Sequence, residues 1–310
     1  MTNEMQQGLR ISNADYRKSE GISSSELKQL MKTPAHYRYW KDNPEETDSQ
    51  ALLFGRACHK YVLETYDFYN EFEVIKEFKY GTKDDKTETQ RFICQKAIEL
   101  GKGAEWDSFI ITNPKKEQVV DFYRGLVAGK DLITEEMFEQ IDAMRNSAYA
   151  TPFVSKLLSG EKELSFWGVD EETGLKIKAR PDCITEWNGQ HILIDYKTAT
   201  DVENMKFCRD SIKYGYDLQL AMYRDILKQN TGHDYMVVII AQEKKAPYVT
   251  NVFQLSENYL ESGRTVYKEM LQLYKECSET GNWYGYMKDG ISVLGNPDDD
   301  YVEDYEESEE

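Results

Sequence analysis

The stretch RPDCITEWNGQHILIDYKTAT, residues 180–200, decides how this 310-residue chain is read. Asn188-Gly189 is a favoured centre for a two-residue type I′ hairpin, because both positions need φ > 0. So short a loop fixes register. Trp187 faces Gln190, and each pair further out has residue numbers adding to 377, which sets Asp182 opposite Asp195 and Arg180 opposite Lys197. Side chains alternate along a strand, so Asp182, Asp195 and Lys197 share one face while Cys183, Ile192, Ile194 and Tyr196 turn the other way into a core. Cross-strand Cβ atoms lie about 4.5–5.5 Å apart, and like charges there repel. A divalent cation stabilises such a pair, and hard carboxylate oxygens suit Mg²⁺ or Mn²⁺. A lysine beside a metal-bound water could orient or deprotonate that water and offset charge developing on phosphorus. Phosphodiester hydrolysis is the chemistry this pattern suits. Taken alone, the pattern also describes a solvated face with one salt bridge, and a bulge at Pro181 would slip the register. Other residues decide between these readings.

Working outward, the period of the apolar residues changes along the chain. Ser23 and Glu26 have capping-box spacing, and Leu27, Leu30 and Met31 follow at helical intervals until Pro34 starts the next helix. In ALLFGRACHKYVLE the residues Leu53, Phe54, Ala57, Tyr61 and Val62 mark a packed helix. Residues 71–79 alternate like a strand. Residues 86–158 read as several helices, with Pro114 and Pro152 near two starts and Gly160 as the last C-cap. From Glu163 the period is two: ELSFWGV, LKIKARPDCITEW and HILIDYK read as three strands. A helix over about 216–229, strands in YMVVIIA and PYVTNVF, and a closing helix over 257–277 complete the pattern. These elements predict an α/β protein: a mixed central sheet flanked by helices, with a helical N-terminal half.

The composition is that of an ordinary globular protein, and no apolar run is long enough to cross a bilayer or form a signal-peptide core. A soluble, intracellular protein is expected. The net charge is −18, but nine of the acids sit in NPDDDYVEDYEESEE, residues 296–310, a segment without a base that reads as disordered and solvated. Removing them leaves −9 on the rest, so any nucleic-acid contact must be local. Cys58, Cys94, Cys183, Cys208 and Cys277 are scattered without a C-x-x-C pair. They read as buried, reduced thiols, and neither zinc nor an iron–sulfur cluster is expected.

Four further positions matter. His59 lies one turn after Gly55, on one helix face, where the glycine would let that face approach the sheet. Glu163, at the start of the strand before the hairpin, is a third possible oxygen ligand, with Glu161 its rival. Gln219 and Tyr223 are spaced i, i+4 in QLAMY and would contact a DNA strand or support a metal's ligands.

The ordered set G-x-x-x-H (Gly55 to His59), Glu163, R-P-D (Arg180 to Asp182), D-Y-K (Asp195 to Lys197) and Q-x-x-x-Y (Gln219 to Tyr223) resembles the RecB-type branch of the PD-(D/E)XK nucleases. The stretches ISSSELKQLMKTPAHYRYW, ETGLKIKARPD, YGYDLQLAMY and GNWYGY resemble more closely the RecE group, exodeoxyribonuclease VIII, of phage and prophage recombination enzymes. The resemblance spans most of residues 10–290 and implies a restriction-endonuclease-like core over residues 51–295. A helical insertion at about 86–158, a packed N-terminal segment over 1–50 and the acidic tail 296–310 complete the expected organisation. It implies a Mg²⁺-dependent (or Mn²⁺-dependent) 5′-to-3′ exonuclease on double-stranded DNA that leaves 3′ single strands, working in the cytoplasm of a bacterium or phage-infected host. It also implies a ring-shaped homo-oligomer around DNA and a single-strand annealing partner. Carried over residue by residue, His59, Asp182 and Asp195 would hold metal, Lys197 would act on the attacking water and Glu163 would be an auxiliary acid. Gln219, Tyr223 and Arg180 would support DNA binding. A ring would gather bases such as Lys176, Lys178, Arg180, Lys206, Arg209 and Lys213 around a channel. The alternatives are a single-strand or flap nuclease, or a DNA-binding module without catalysis.

Overall fold

The computed structural model describes residues 8–43, 49–76 and 78–291; the acidic tail lies outside them. The hairpin turn forms as its sequence requires, with Asn188 at φ 52° and Gly189 at φ 76°. Pairing runs from Trp187 with Gln190 to Cys183 with Ile194, which is the expected register. The ladder stops there, so neither Asp182 with Asp195 nor Arg180 with Lys197 is a ladder pair, and the stretch read as one strand is two, broken over 180–182.

In chain order, α1 (Asn13–Lys18), β1 (Ile22–Ser23), α2 (Ser24–Leu30) and α3 (Pro34–Asp42) precede α4 (Gln50–Leu63), α5 (Phe68–Glu71) and β2 (Phe72–Ile75). Next come α6 (Lys83–Glu99), α7 (Gly103–Ile110), α8 (Lys116–Leu126), β3 (Asp131–Thr134), α9 (Glu135–Ala150) and α10 (Pro152–Leu157). The strands β4 (Glu161–Lys162), β5 (Phe166–Val169), β6 (Lys176–Ala179), β7 (Cys183–Trp187) and β8 (Gln190–Ala199) follow. The chain closes with α11 (Asn204–Lys213), α12 (Tyr216–Thr231), β9 (Met236–Glu243), β10 (Thr250–Gln254) and α13 (Glu257–Thr280).

The central sheet has the order β10-β9-β8-β7-β4, and β8 runs parallel to β9 while the other neighbours are antiparallel. The parallel pair needs a crossover, which α11 and α12 supply. Period-two alternation sorts the side chains. Ile192, Ile194, Tyr196, Val238 and Ile240 pack with residues of α4, α9 and α10. Leu193, Val237, Ile239 and Ala241 pack with α12 and α13 on the opposite face. Covered on both sides, β8 and β9 are near-continuous apolar runs. Each fully buried Ile, Leu or Val contributes about 1.5–3 kcal/mol against leaving it exposed.

The N-terminal segment is part of this core. Ser23 caps α2 in a reciprocal box with Glu26, Ile22 pairs with Ile177 in a second sheet of order β1-β6-β5, and Leu27 is fully buried beside α12 residues. In the helical half, α6, α7 and α8 enclose a separate core that includes Ile75, Ile93, Trp106, Val119 and Tyr123. By contrast α9 and α10 belong to the main core. The short strand β3, unread in the sequence, pairs in parallel with β2. Four residues sheltered at one edge are too few to show a period.

Gly160 is not a left-handed helix cap. A Cβ there would stand 2.1 Å from the Ile184 carbonyl oxygen, so glycine is needed for close approach to β7. Three of the cysteines are buried and all five are unpaired thiols, but Cys208 is exposed on α11, contrary to the expectation of burial. No helix among the described residues is long and apolar enough to cross a membrane.

Candidate active site: a carboxylate and imidazole cluster where the hairpin opens

The break at 180–182 releases Asp182 from the ladder yet leaves it beside β8. The backbone N–H of Tyr196 donates to Asp182 Oδ2 at 2.6 Å. From α4, His59 Nε2 meets the same Oδ2 at 2.9 Å, and His59 Nδ1 lies 3.8 Å from Glu163 Oε1. One ligand atom from each of His59, Glu163 and Asp182 falls within 4.8 Å of the others, and the three could share a cation. Glu163 lies just beyond β4 rather than at a strand start, with φ 56°, a left-handed conformation that costs a non-glycine residue roughly 1–2 kcal/mol. Its rival Glu161 is exposed and paired with Arg10 at 2.6 Å.

Asp195 stands on the α12 side, 1% exposed. Its Oδ2 is 2.6 Å from Lys197 Nζ in a buried ion pair. Its Oδ1 accepts from Gln219 Nε2 at 3.0 Å, and Lys28 Nζ donates to Gln219 Oε1 at 2.7 Å. The structure thus gathers His59, Glu163 and Asp182 in one cluster and sets Asp195 with Lys197 in an adjacent pair.

Burial would raise the Asp182 carboxyl, but the His59 imidazole and Lys197 hold it below the usual range. Burial, with Asp182 adding to it, raises Asp195 and brings Glu163 to about 7. For His59 burial works downward, yet Asp182 and Glu163 outweigh it and raise the imidazole to about 9. Lys197 is likewise raised against its burial by Asp195 and Asp182. Lys28 goes the other way, pushed down to about 7 by burial and then by the Lys197 ammonium. The protein therefore balances its own carboxylates with an imidazolium and an ammonium, the arrangement expected where a cation can take their place. Two oxygens and one imidazole nitrogen beside the buried Asp195 carboxylate, which only an ammonium balances, fit a hard divalent ion.

The cluster opens into a cleft of about 630 Å³ lined by His59, Glu163, Lys197 and Tyr216 among others, with Asp195 beneath its floor. Gly55 also lines the cleft, and a Cβ there would meet nothing within 4 Å; it leaves room in the cleft rather than permitting contact with the sheet. Arg180 is turned inward: Nη1 donates to Asn13 Oδ1 at 2.8 Å, the guanidinium lies over the Tyr16 ring, and Nε stands 3.7 Å from Glu163 Oε2. It supports Glu163. Tyr223, on α12, is buried in the core and is hydrogen-bonded to Ser24. Of the other bases expected around a channel, Lys178 donates to the backbone carbonyls of Tyr16 and Ser19. Lys176 and Lys206 pair with Glu20 and Asp201.

Sequence reasoning missed Lys28. It lies one turn after Ser24 on a helix whose cap was legible, but nothing in local spacing ties that helix to β8. A Gln219→Leu variant is expected to leave Asp195 Oδ1 and the Lys28 ammonium unpaired. That costs about 1–3 kcal/mol of stability and about 10–100-fold in activity, checked by denaturant melts and by rates on the same preparation.

An α/β core with two carboxylates and a lysine about a split hairpin, and an imidazole delivered by a helix, is the arrangement of the PD-(D/E)XK class. A family model described as PDDEXK-like domain of unknown function (DUF3799) matches residues 23–288, and the chain belongs to that family. Among solved structures, the crystal structure of a "Putative exonuclease" from Eubacterium rectale is similar at a TM-score of 0.52 and 18% identity. That match covers 92% of this chain and 97% of the other, and it supports the fold. A second structure, SSO0001, matches at a TM-score of 0.28 and 14% identity over 70% of this chain and 85% of its own, too low a score to bear on the fold. No curated protein matches the sequence.

Proposed function

We propose that the protein is a divalent-metal-dependent deoxyribonuclease that digests the 5′-ended strand of duplex DNA from an end, using Mg²⁺ or Mn²⁺ at His59, Asp182 and Asp195 with Glu163 beside them. The observation that carries this reading is the convergence of His59, Glu163 and Asp182 on one point next to the buried Asp195–Lys197 pair. When bound, the ion would supply Lewis acidity and an acidified water. The protein's own groups do the rest. Tyr196 N–H and Gln219 fix the orientation of Asp182 and Asp195. Lys197, charged and facing the cleft, sits where it can orient the attacking water and offset negative charge on phosphorus. Glu163, raised to about 7, can exchange a proton near neutral pH. Release of 3′ single strands to an annealing protein, a ring-shaped oligomer and action in the bacterial or phage-infected cytoplasm belong to the same reading.

The exposed Tyr214 and the half-buried Tyr216 line the cleft, and aromatic side chains stack unpaired bases. This favours, as a second reading, a single-strand or flap nuclease of the same chemistry. Labelled linear duplex, sealed circle, single strand and flap, each with and without Mg²⁺, separate the readings. The duplex exonuclease requires ends and spares circles, and absence of metal-dependent cleavage on all four removes both.

Metal binding should release protons. His59 keeps its proton up to about 9 in the metal-free cluster, so a cation binding through that nitrogen displaces a proton at pH 7–8. Apparent affinity then rises with pH until about 9 and falls as pH drops, by up to about tenfold per unit. Titration calorimetry in buffers of different ionisation enthalpy should give about one proton per ion at pH 7.5. A value of zero would remove His59 from the ligand set.

A further inference from the structure

A second cavity, of about 570 Å³, adjoins the cleft, and Glu64 lines both. Its lining includes Arg145, Lys162, Ser155, Ser159 and Tyr66. Lys162 is the chain neighbour of Glu163 and sits half-buried on β4. Arg145 is held in place without a carboxylate: Nε donates to Thr65 Oγ1 at 2.9 Å, and the guanidinium lies over the rings of Tyr149 and Tyr61 at 4.7 and 5.8 Å. Three acids line the cavity: Glu64 is engaged by Lys60 at 2.7 Å, Glu161 by Arg10 at 2.6 Å, and Asp67 accepts from Asn70 Nδ2 at 3.4 Å. Among the described residues neither Lys162 nor Arg145 has an ion-pair partner. Burying a cation without a counter-charge is costly unless an anion arrives to meet it. At the mouth stands Tyr66, 99% exposed, a large aromatic ring with nothing of its own chain covering it.

We propose that this second cavity is a phosphate subsite, in which Lys162 and Arg145 hold a backbone phosphate of the nucleic-acid strand leaving the active-site cleft while the adjoining base stacks on Tyr66. Ser159 Oγ commits its one proton to Lys156 O and has none to donate to an anion, so the anion is met by the two cations. An ammonium and a guanidinium serve different ends here. The lysine is a compact charge that tolerates several phosphate positions, and the guanidinium offers a planar fork for two oxygens. The subsite rests on the nuclease reading, because only a polymeric phosphodiester would span the cleft and the adjoining cavity together.

The salt dependence of binding tests it. Affinity for a short single strand and a short blunt duplex is measured from low to moderate salt with Ca²⁺ in place of Mg²⁺, for the unaltered protein, Lys162→Gln, Arg145→Gln, Tyr66→Ala and Asp182→Asn. Each lost phosphate contact should make the slope of log K against log salt shallower by about 0.7–0.9. Lys162→Gln and Arg145→Gln are expected to show that change. Tyr66→Ala should weaken single-strand binding by the worth of a stacked base, about 1–3 kcal/mol or 5–150-fold, at unchanged slope. Asp182→Asn should lose cleavage while keeping the slope of the unaltered protein. Arg145→Gln removes packing on two tyrosine rings and is read only if its melting curve is intact; Lys162→Gln decides the matter by itself. An unchanged slope in Lys162→Gln, with DNA bound normally, overturns the subsite and leaves the nuclease reading standing. Failure of the unaltered protein to bind either nucleic acid overturns both.

Discussion

Asp182→Asn is expected to abolish metal-dependent DNA cleavage, by on the order of 10³-fold or more, in a protein that still folds. Asparagine has nearly the same shape, and its side-chain oxygen can still accept from Tyr196 N–H, which donates to Asp182 Oδ2 at 2.6 Å. What it loses is the charge. A bound ion's stabilisation of the transition state amounts to several kcal/mol, and each 1.36 kcal/mol is a factor of ten. A second signature separates a lost ion from a distorted strand. The unaltered protein at a hundredfold excess of Mg²⁺ over its dissociation constant should gain about 2.7 kcal/mol of stability, visible as a rise in Tm, and Asp182→Asn should not respond. Lys197→Ala should reduce the rate by about 10²–10⁴ while still binding metal, because it releases Asp195 Oδ2 from the ion pair that metal must displace. Both variants within threefold of the unaltered rate would dispose of the assignment.

Gly263→Val should be strongly destabilising although it is remote from the site. Gly263 lies on α13 where it crosses the start of α12, and a Cβ there would stand 2.2 Å from the Asp217 carbonyl carbon and 2.7 Å from Leu218 N. Those atoms are backbone within a helix, so neither can step aside without moving α12. Overpacking of a core commonly costs 1–3 kcal/mol. Here the obstacle is rigid and two more methyl groups follow, so about 3 kcal/mol or more is expected. Because α12 also carries Gln219, which holds Asp195, the variant should lose activity along with stability. A denaturation midpoint within about 1 kcal/mol of the unaltered protein would show that the two helices can slide apart.

The two predictions act on different parts of one arrangement. Asp182 is held where the hairpin opens by Tyr196 N–H and by His59 from α4, whereas the orientation of Asp195 on β8 depends on Gln219 from α12. A change in the α12–α13 crossing should therefore weaken the support of Asp195 while leaving the Asp182, His59 and Glu163 cluster assembled from α4 and β4. Comparing metal binding with turnover in Gly263→Ala, the milder substitution, would report how far the two halves of the site depend on one another.

Much of this was legible from residues 180–200. An Asn-Gly turn has few alternatives, and a two-residue loop leaves no slack, so the register of β7 and β8 followed from local backbone chemistry. The alternation of Ile192, Leu193 and Ile194 between two cores is the same period of two. The capping box at Ser23, Pro34 at a helix start and the boundaries of α12 and α13 were readable for the same reason: each depends on residues within one or two turns.

Tertiary structure alone decided which charges meet. Asp182 leaves the ladder at the 180–182 break and is claimed by His59 from a helix more than a hundred residues earlier in the chain. Glu163 is turned into the cluster by a left-handed backbone that no propensity favours. Arg180 and Lys178, read as DNA-facing bases, are drawn inward by Asn13, Tyr16 and Ser19. Lys28 reaches Asp195 through Gln219 because α2 packs on α12. Local sequence fixes dihedral angles and alternation, which act over a few residues. The partner of a buried charge is fixed by whichever distant element must neutralise it once water has been removed.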